Sequence, residues 1–248
     1  MTGIYRFAER TIEIASLYGE VHRLCREYRT EGTADFAVRI TRQDIDFEKE
    51  KSEREDEREG NPIRQFSDAY LETLAAYRKI AEKMPEYDTF LLHGSCVAVE
   101  GMGYLFTAKS GTGKSTHARL WCELLGEKAV MVNDDKPLLR ISEREATAFG
   151  TPWDGKHRLS RNIAVPLKAV CILERSEENH IEEITKAEAL PMLLQQVYRP
   201  ADRVSMVKTL EGIDRLSEQV KLYRLGCNMD ISAAELSYSA MRGERVLS

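Results

Sequence analysis

Residues 108–116 read Ala108-Lys109-Ser110-Gly111-Thr112-Gly113-Lys114-Ser115-Thr116, and no other stretch restricts the fold as much. Glycines at 111 and 113 permit backbone angles that turn successive N–H groups inward around an anion. Such a loop needs a strand to deliver the chain and a helix to carry it away, because the helix N-terminus adds partial positive charge. Both flanks are present. The apolar run Met102–Thr107 precedes the loop, and a helical segment follows to about Leu125, with Gly126 as its stop. Against the phosphate-loop pattern G-x-x-x-x-G-K-[ST], one position departs: Ala108 stands where the first glycine would be. An alanine there requires a negative φ, so the strand continues into position 108. The candidate nucleotide-binding residues are Ser110, Gly111, Thr112, Gly113, Lys114, Ser115 and Thr116. Lys114 can reach the outer phosphates and the Ser115 hydroxyl can bind Mg²⁺, so ATP and Mg²⁺ are the expected cofactors.

The segment before the loop, Phe90–Thr107, reads as two strands joined by a tight turn at Glu100–Gly103. A hairpin in that place predicts a mixed or antiparallel sheet, not the parallel βαβ sheet of many phosphate-loop enzymes. Downstream, Ala129–Val132 reads as a short buried strand ending in Asn133-Asp134-Asp135, and Leu167–Leu173 as another. Helices are expected near 186–198, 206–221 and 231–242, with a late strand at Leu222–Leu225. Upstream, residues 4–16 and 35–41 alternate as strands do. The charged run Asp46–Glu59 reads as a solvated strand, hairpin or loop. Residues 67–84 are an amphipathic helix with Ser67 as N-cap and Pro85 as stop. The expected fold is therefore α/β, with a mixed sheet carrying the P-loop. An N-terminal accessory region (1–88) precedes a P-loop domain (89–248), which the resemblance described below marks as kinase-like.

Composition narrows the partners. With 42% hydrophobic and 31% charged residues the chain is of the soluble globular type. Its net charge of −5 argues against general nucleic-acid binding. No apolar run reaches the ~20 residues of a membrane span, and the N-terminus lacks a signal-peptide core. The five cysteines are scattered without a CxxC pair, which fits reduced thiols in a cytoplasm. Cys96 and Cys171 lie in strand-like runs and read as core residues.

Phosphoryl transfer requires that the protein hold the triphosphate, hold Mg²⁺, and orient or deprotonate the acceptor. Asp134 and Asp135 are the candidates for the second and third tasks. At a strand's C-terminal end both carboxylates can approach one site, one binding metal while the other takes the acceptor's proton. Ser115 and Asp135 are the metal candidates, and which aspartate is the base stays open. His93 stands one hairpin away from the loop. Gly150-Thr151-Pro152-Trp153-Asp154-Gly155-Lys156-His157-Arg158 specifies a tight loop. It offers Lys156, ahead of Arg158 and Arg161, to neutralise transferring charge, and Trp153 either to pack a ligand or to pack within the protein. Arg199 at a helix end is explained by the helix dipole.

His93-Gly94, the hairpin, Ser110–Ser115 and the Asp134-Asp135 pair together resemble HPr kinase/phosphorylase over roughly residues 90–175. The resemblance implies a nucleotide-binding core shared with the phosphoenolpyruvate carboxykinases, and kinase activity on a serine of a small protein. Carried over, Lys114 and Ser115 would hold phosphates and Mg²⁺, Asp134 and Asp135 would divide metal binding and proton transfer, and His93 would line the site. The whole chain is still more similar to bacterial HPr-kinase-related proteins that pair the loop with a Gly-Thr-Pro-Trp-x-Gly-Lys segment. Some of these phosphorylate a precursor peptide. The Arg-Gly-x-Gly signature of the HPr enzymes is absent after the aspartates, and Gly150–Lys156 stands in that region. The expectation is an ATP- and Mg²⁺-dependent phosphotransferase, with catalytic residues Asp134, Asp135, Lys114, His93 and Lys156. Its acceptor would be a hydroxyl on a small protein or peptide, and a homo-oligomer is open. The alternatives are a non-catalytic nucleotide-binding regulator, which needs no acceptor groove, and a small-molecule kinase or carboxykinase-like enzyme, which needs a closed basic pocket.

Overall fold

The computed structural model describes residues 1–243; residues 244–248 of the expected second domain lie outside them. The chain divides into two compact units, Met1–Lys83 and Met84–Ser248. Among the described residues no helix is long and apolar enough to cross a membrane.

In the first unit, β1 (Thr2–Phe7) and β2 (Arg10–Ala15) form an antiparallel hairpin. Its two turn residues, Ala8 and Glu9, both have positive φ, as a two-residue turn matched to strand twist requires. The short helix α1 (Glu20–Leu24) lies in the crossover that brings β3 (Phe36–Arg39) parallel to β2. Two longer helices follow, α2 (Arg42–Glu59) and α3 (Asp68–Lys83).

Helix α2 corrects the expectation of a strand, hairpin or loop over 46–59. Glu, Lys and Arg are good helix formers. A capping box of Thr41 and Asp44 starts the helix, and Gly60 in the left-handed region (φ 70°) ends it. Its inward positions are largely charged. Glu48 and Asp56 are buried, as is Ile45; Glu48 is held by Arg78 of α3 and Asp56 by the forked guanidinium of Arg64. Ion pairs thus occupy places where an apolar stripe would have announced a helix.

The second unit is built on a nine-stranded sheet. It comprises β4 (Thr89–Leu91), β5 (Gly94–Val99), β6 (Met102–Thr107), β7 (Ala129–Asp135), β8 (Leu138–Ile141), β9 (Ala146–Phe149), β10 (Ala164–Arg175), β11 (His180–Glu183) and β12 (Lys221–Cys227). The order is β4-β8-β9-β10-β6-β5-β7, with β12 also on β10 and β11 on β12. The sheet is mixed, as the hairpin before the loop predicts: β6 runs antiparallel to β5 and parallel to β10. The sequence reading missed α1, β8, β9 and β11, all four or five residues long. It also joined β4 and β5 into one strand. The chain instead changes partners at Leu92-His93, where Leu92 bridges Val197 and the His93 N–H donates to Gln196 O. His93 therefore sits in a break between strands.

Side-chain alternation sends neighbouring residues to opposite faces. Cys96, Ala98, Leu105, Val170 and Ile172 pack on one face with Ala189 and Leu193 of α5 (Lys186–Gln196) and Ile213 and Leu216 of α6 (Arg203–Gln219). Val97, Val99, Tyr104, Phe106 and Cys171 pack on the other with Ala118 and Trp121 of α4 (Lys114–Leu125) and Ala234 and Met241 of α7 (Ile231–Arg242). Strands covered on both sides by helices read as continuous apolar runs, which is how β5 and β6 appear in the sequence. Cys96 and Cys171 are fully buried, as expected of core residues.

Trp121 joins α4 to both neighbours: its ring lies 5.0 Å from those of Tyr104 and Phe106, and its Nε1–H donates to Ser237 Oγ of α7 at 2.8 Å. Trp121→Ala should lower unfolding stability by about 3–5 kcal/mol and Ser237→Ala by about 1 kcal/mol, measured by urea unfolding. A Trp121→Ala loss under 1 kcal/mol would mean that α4 is not anchored here.

Candidate functional site

The loop between β6 and α4 has the geometry its glycines allow. Gly111 and Gly113 have φ of 76° and 121°, angles that L side chains rarely adopt. Ala108 is fully buried with Phe106, Ala118 and Trp121 and is not among the positive-φ residues. Its methyl belongs to the core, so the position requires no glycine. Gly113 caps α4, whose opening residues are Lys114, Ser115 and Thr116. The first amides of a helix have no intrahelical acceptor, so this end concentrates positive potential. Lys114 adds a buried ammonium that donates to Ala108 O at 3.1 Å. Burial pushes its pKa down, and the nearby carboxylates of Asp135 and Asp134 oppose that shift.

Those carboxylates come from β7. As the sequence predicts, the strand ends in the Asp pair, at Asp135. Neighbours in a flat strand would face opposite ways. Here a register shift opposite Cys96–Val97 and the side chain of Asn133 bend the chain. Asn133 Oδ1 accepts from the backbone N–H of Asp135 (3.1 Å) and Lys136 (2.6 Å), the local bond that makes asparagine a turn residue. Both aspartates then line one cleft of about 480 Å³, together with His93, Lys114, Ser115 and Lys156. That volume lies within the range of small-molecule sites. The cleft wall also includes Ser110, Gly111, Gly113 and Thr116, so of the loop residues nominated from sequence only Thr112 is missing from it.

The two carboxylates have different surroundings. Asp134 is buried; its Oδ1 accepts from Ser95 Oγ at 2.7 Å, and its Oδ2 has no hydrogen-bond partner. An orphaned carboxylate oxygen in a buried place is costly, which makes it the natural seat for a cation. Asp135 is already compensated. His93 Nε2 stands 3.2 Å from Oδ1 and Lys136 Nζ 3.0 Å from Oδ2. Burial pushes the Asp135 carboxyl up, but the His93 hydrogen bond and the Lys136 charge outweigh it, lowering the pKa to about 2. His93 is in turn held through Nδ1, 3.1 Å from Gln196 Oε1.

The segment 150–161 packs onto the end of β7. Asn133 Nδ2 donates to Thr151 O and Oγ1, both at 3.0 Å, and Asp154 bridges Asp135. The Asp134 N–H donates to Ser160 Oγ at 3.2 Å. Gly155 lies so close that a Cβ there would stand 2.6 Å from Asp134 O and 3.0 Å from its Oδ2. Trp153 is buried and does not line the cleft, so of its two readings the structure bears out packing. Arg158 and Arg161 lie outside the lining as well.

Sequence reasoning missed Ser95, Gly155, His157, Arg175 and Gln196. Arg175 Nη2 donates to Gly111 O at 2.6 Å. The available signal was its place at the C-terminal end of a strand parallel to β6, the side where sheet ligands collect. Gln196 carried none, because it reaches His93 only through the break between β4 and β5.

Two outcomes follow from this geometry. The folded pKa of Asp135 lies below its ordinary 3.8, so the carboxylate stabilises the native state above about pH 4. That contribution disappears as pH falls toward about 2. Urea unfolding across this window should show a shallower acid loss in Asp135→Asn than in the wild type; identical slopes would refute the pairing. Gly155→Ala should push the turn off Asp134 and cost about 1–3 kcal/mol, read in the same assay. A cost near zero would mean that the approach is not tight.

Comparison with known proteins adds three findings. No curated protein matches the chain. Among solved structures, the HPr(Ser) kinase/phosphatase from Coxiella burnetii aligns with a TM-score of 0.29 and 14% identity, over 52% of this chain and 92% of that one. The sequence model of one family, described as SynChlorMet cassette protein ScmC, matches residues 63–229, from just before α3 to just before α7. That match takes in more than half of the 248 residues, and the chain belongs to the ScmC family.

Proposed function

We propose that the protein is an ATP- and Mg²⁺-dependent phosphotransferase that phosphorylates a hydroxyl on a small protein or peptide. The observation that carries this reading is one cleft with two sides of opposite charge. One is a glycine loop and helix N-terminus with a buried lysine; the other is a buried carboxylate with an unpartnered oxygen.

In this reading the loop amides and Lys114 hold the phosphates. Among the described residues no three His, Cys, Asp or Glu converge as a metal cage. Nucleotide-bound Mg²⁺ needs none, since it takes one or two protein ligands beside phosphate and water oxygens. Asp134 Oδ2 and the Ser115 hydroxyl fit that role. The preference for Asp134 over Asp135 follows from the oxygens left open, because both of Asp135's are paired. When bound, Mg²⁺ neutralises charge on the phosphates. Asp135, kept ionised by His93 and Lys136, accepts the hydrogen bond of the acceptor hydroxyl and orients it. Lys156, on the cleft wall and without a side-chain partner among the described residues, offsets charge on the transferring group.

The test is transfer from labelled ATP in lysate of the source organism. Lys114→Ala and Asp134→Asn should each lower labelling by about 10²–10³-fold, with folding unchanged by circular dichroism. ATP binding with no transfer to any protein or metabolite would reject the enzyme reading in favour of a nucleotide-binding regulator.

A further inference from the structure

We propose that the acceptor enters the cleft as part of an acidic peptide segment, steered and held by the cationic turn Gly155–Arg161. The proposal rests on the phosphotransferase reading above and names its substrate class.

The segment reads Gly155-Lys156-His157-Arg158-Leu159-Ser160-Arg161, three fixed cations in seven residues of a chain whose net charge is −5. The one acid between Gly150 and Ile163 is Asp154, and its Oδ2 already accepts the Ser160 N–H at 2.9 Å. The side chains of Lys156, Arg158 and Arg161 make no hydrogen bond or ion pair with any described residue. With Asp154 counted, the segment still carries an excess of cations over acids, and it borders the cleft. Like charges gathered in this way repel one another, and a partner of opposite sign relieves that repulsion.

The charge also runs outward. Lys156 and His157 line the cleft, whereas Arg158, Leu159 and Arg161 are exposed and lie outside its lining. A small anion confined to the cleft would leave the outer cations unmet. A chain leaving the cleft passes them, and Leu159, 42% exposed between the two arginines, gives it an apolar contact.

The turn is held in shape without a ligand. The Arg158 N–H closes onto Gly155 O at 3.2 Å, and the Arg161 N–H donates to Val132 O at 3.3 Å. Ser160 is tied to Asp134 by the Asp134 N–H. Arg158 has φ of 49°, a conformation that a long side chain keeps only when its surroundings impose it. The backbone that carries the cations is thus set before a partner binds, so binding orders their side chains alone.

The test uses three fluorescein-labelled peptides of about twelve residues, each with one central serine, flanked by glutamates, glutamines or lysines. Binding is read by anisotropy with a non-hydrolysable ATP analogue present. The wild type should bind the glutamate peptide about tenfold tighter than the glutamine peptide at about 50 mM salt, and lose that preference at about 0.5 M. The double variant Arg158→Gly/Arg161→Gln, which keeps the left-handed backbone accessible, should lose the preference with unchanged nucleotide affinity. Arg158→Asp/Arg161→Glu should shift preference to the lysine peptide. Equal affinity for the three peptides, or a parallel fall in nucleotide affinity, overturns the proposal; the latter would assign these arginines to the nucleotide. If labelled ATP gives no transfer while the charge preference persists, the phosphotransferase reading falls and the acidic docking stands.

Discussion

The side chain of Asn133 is the interaction on which the rest of the site depends. It is fully buried, and each end of its amide does separate work. The oxygen takes two successive backbone N–H groups and bends the chain at the end of β7. The nitrogen binds Thr151 and so pins the 150–161 segment against that bend. One amide therefore turns two adjacent carboxylates toward one cleft and fixes the wall beside them. An apolar residue of the same size would take the acceptor from two N–H groups and the donor from Thr151 O, a costly exchange.

From that bend comes the asymmetry of the aspartates. Equal in sequence, they are unequal in environment. Asp135 has a histidine and a lysine on its two oxygens, which hold it ionised in spite of burial. Asp134 has one serine hydroxyl and one open oxygen. A buried pair with one compensated and one open member suits a division of labour, since identical surroundings would set the two carboxylates in competition for the same charge. The lysine of the facing loop is depressed by burial and supported by both carboxylates, so the two sides of the cleft are electrostatically coupled.

Legibility in the sequence followed how local the determining physics was. The loop, its glycines, the helix after it and the hairpin before it rest on backbone angles and caps, which short stretches encode. Thus the loop residues other than Thr112 meet His93, both aspartates and Lys156 in the cleft. Helix α2 was hidden because its buried positions are filled by Glu48 and Asp56, whose partners Arg78 and Arg64 lie elsewhere in the chain. Pattern reading takes buried positions to be apolar and has no means of seeing a salt bridge. Trp153 stayed open in the sequence between ligand contact and packing, because only the folded loop turns it inward.

By itself the sequence determined the mixed sheet, the strand–loop–helix unit and the chemical types that gather around it. Those follow from local conformational preference and from the length of apolar runs. Only the tertiary structure decided which aspartate oxygen is open, that Gln196 stands behind His93, that Arg175 reaches the loop, and that the free cations of 156–161 extend outward from the cleft. Each of these depends on contacts between residues far apart in the chain, or on the absence of such contacts. Distance along a polypeptide carries no information about distance in space until the core has closed.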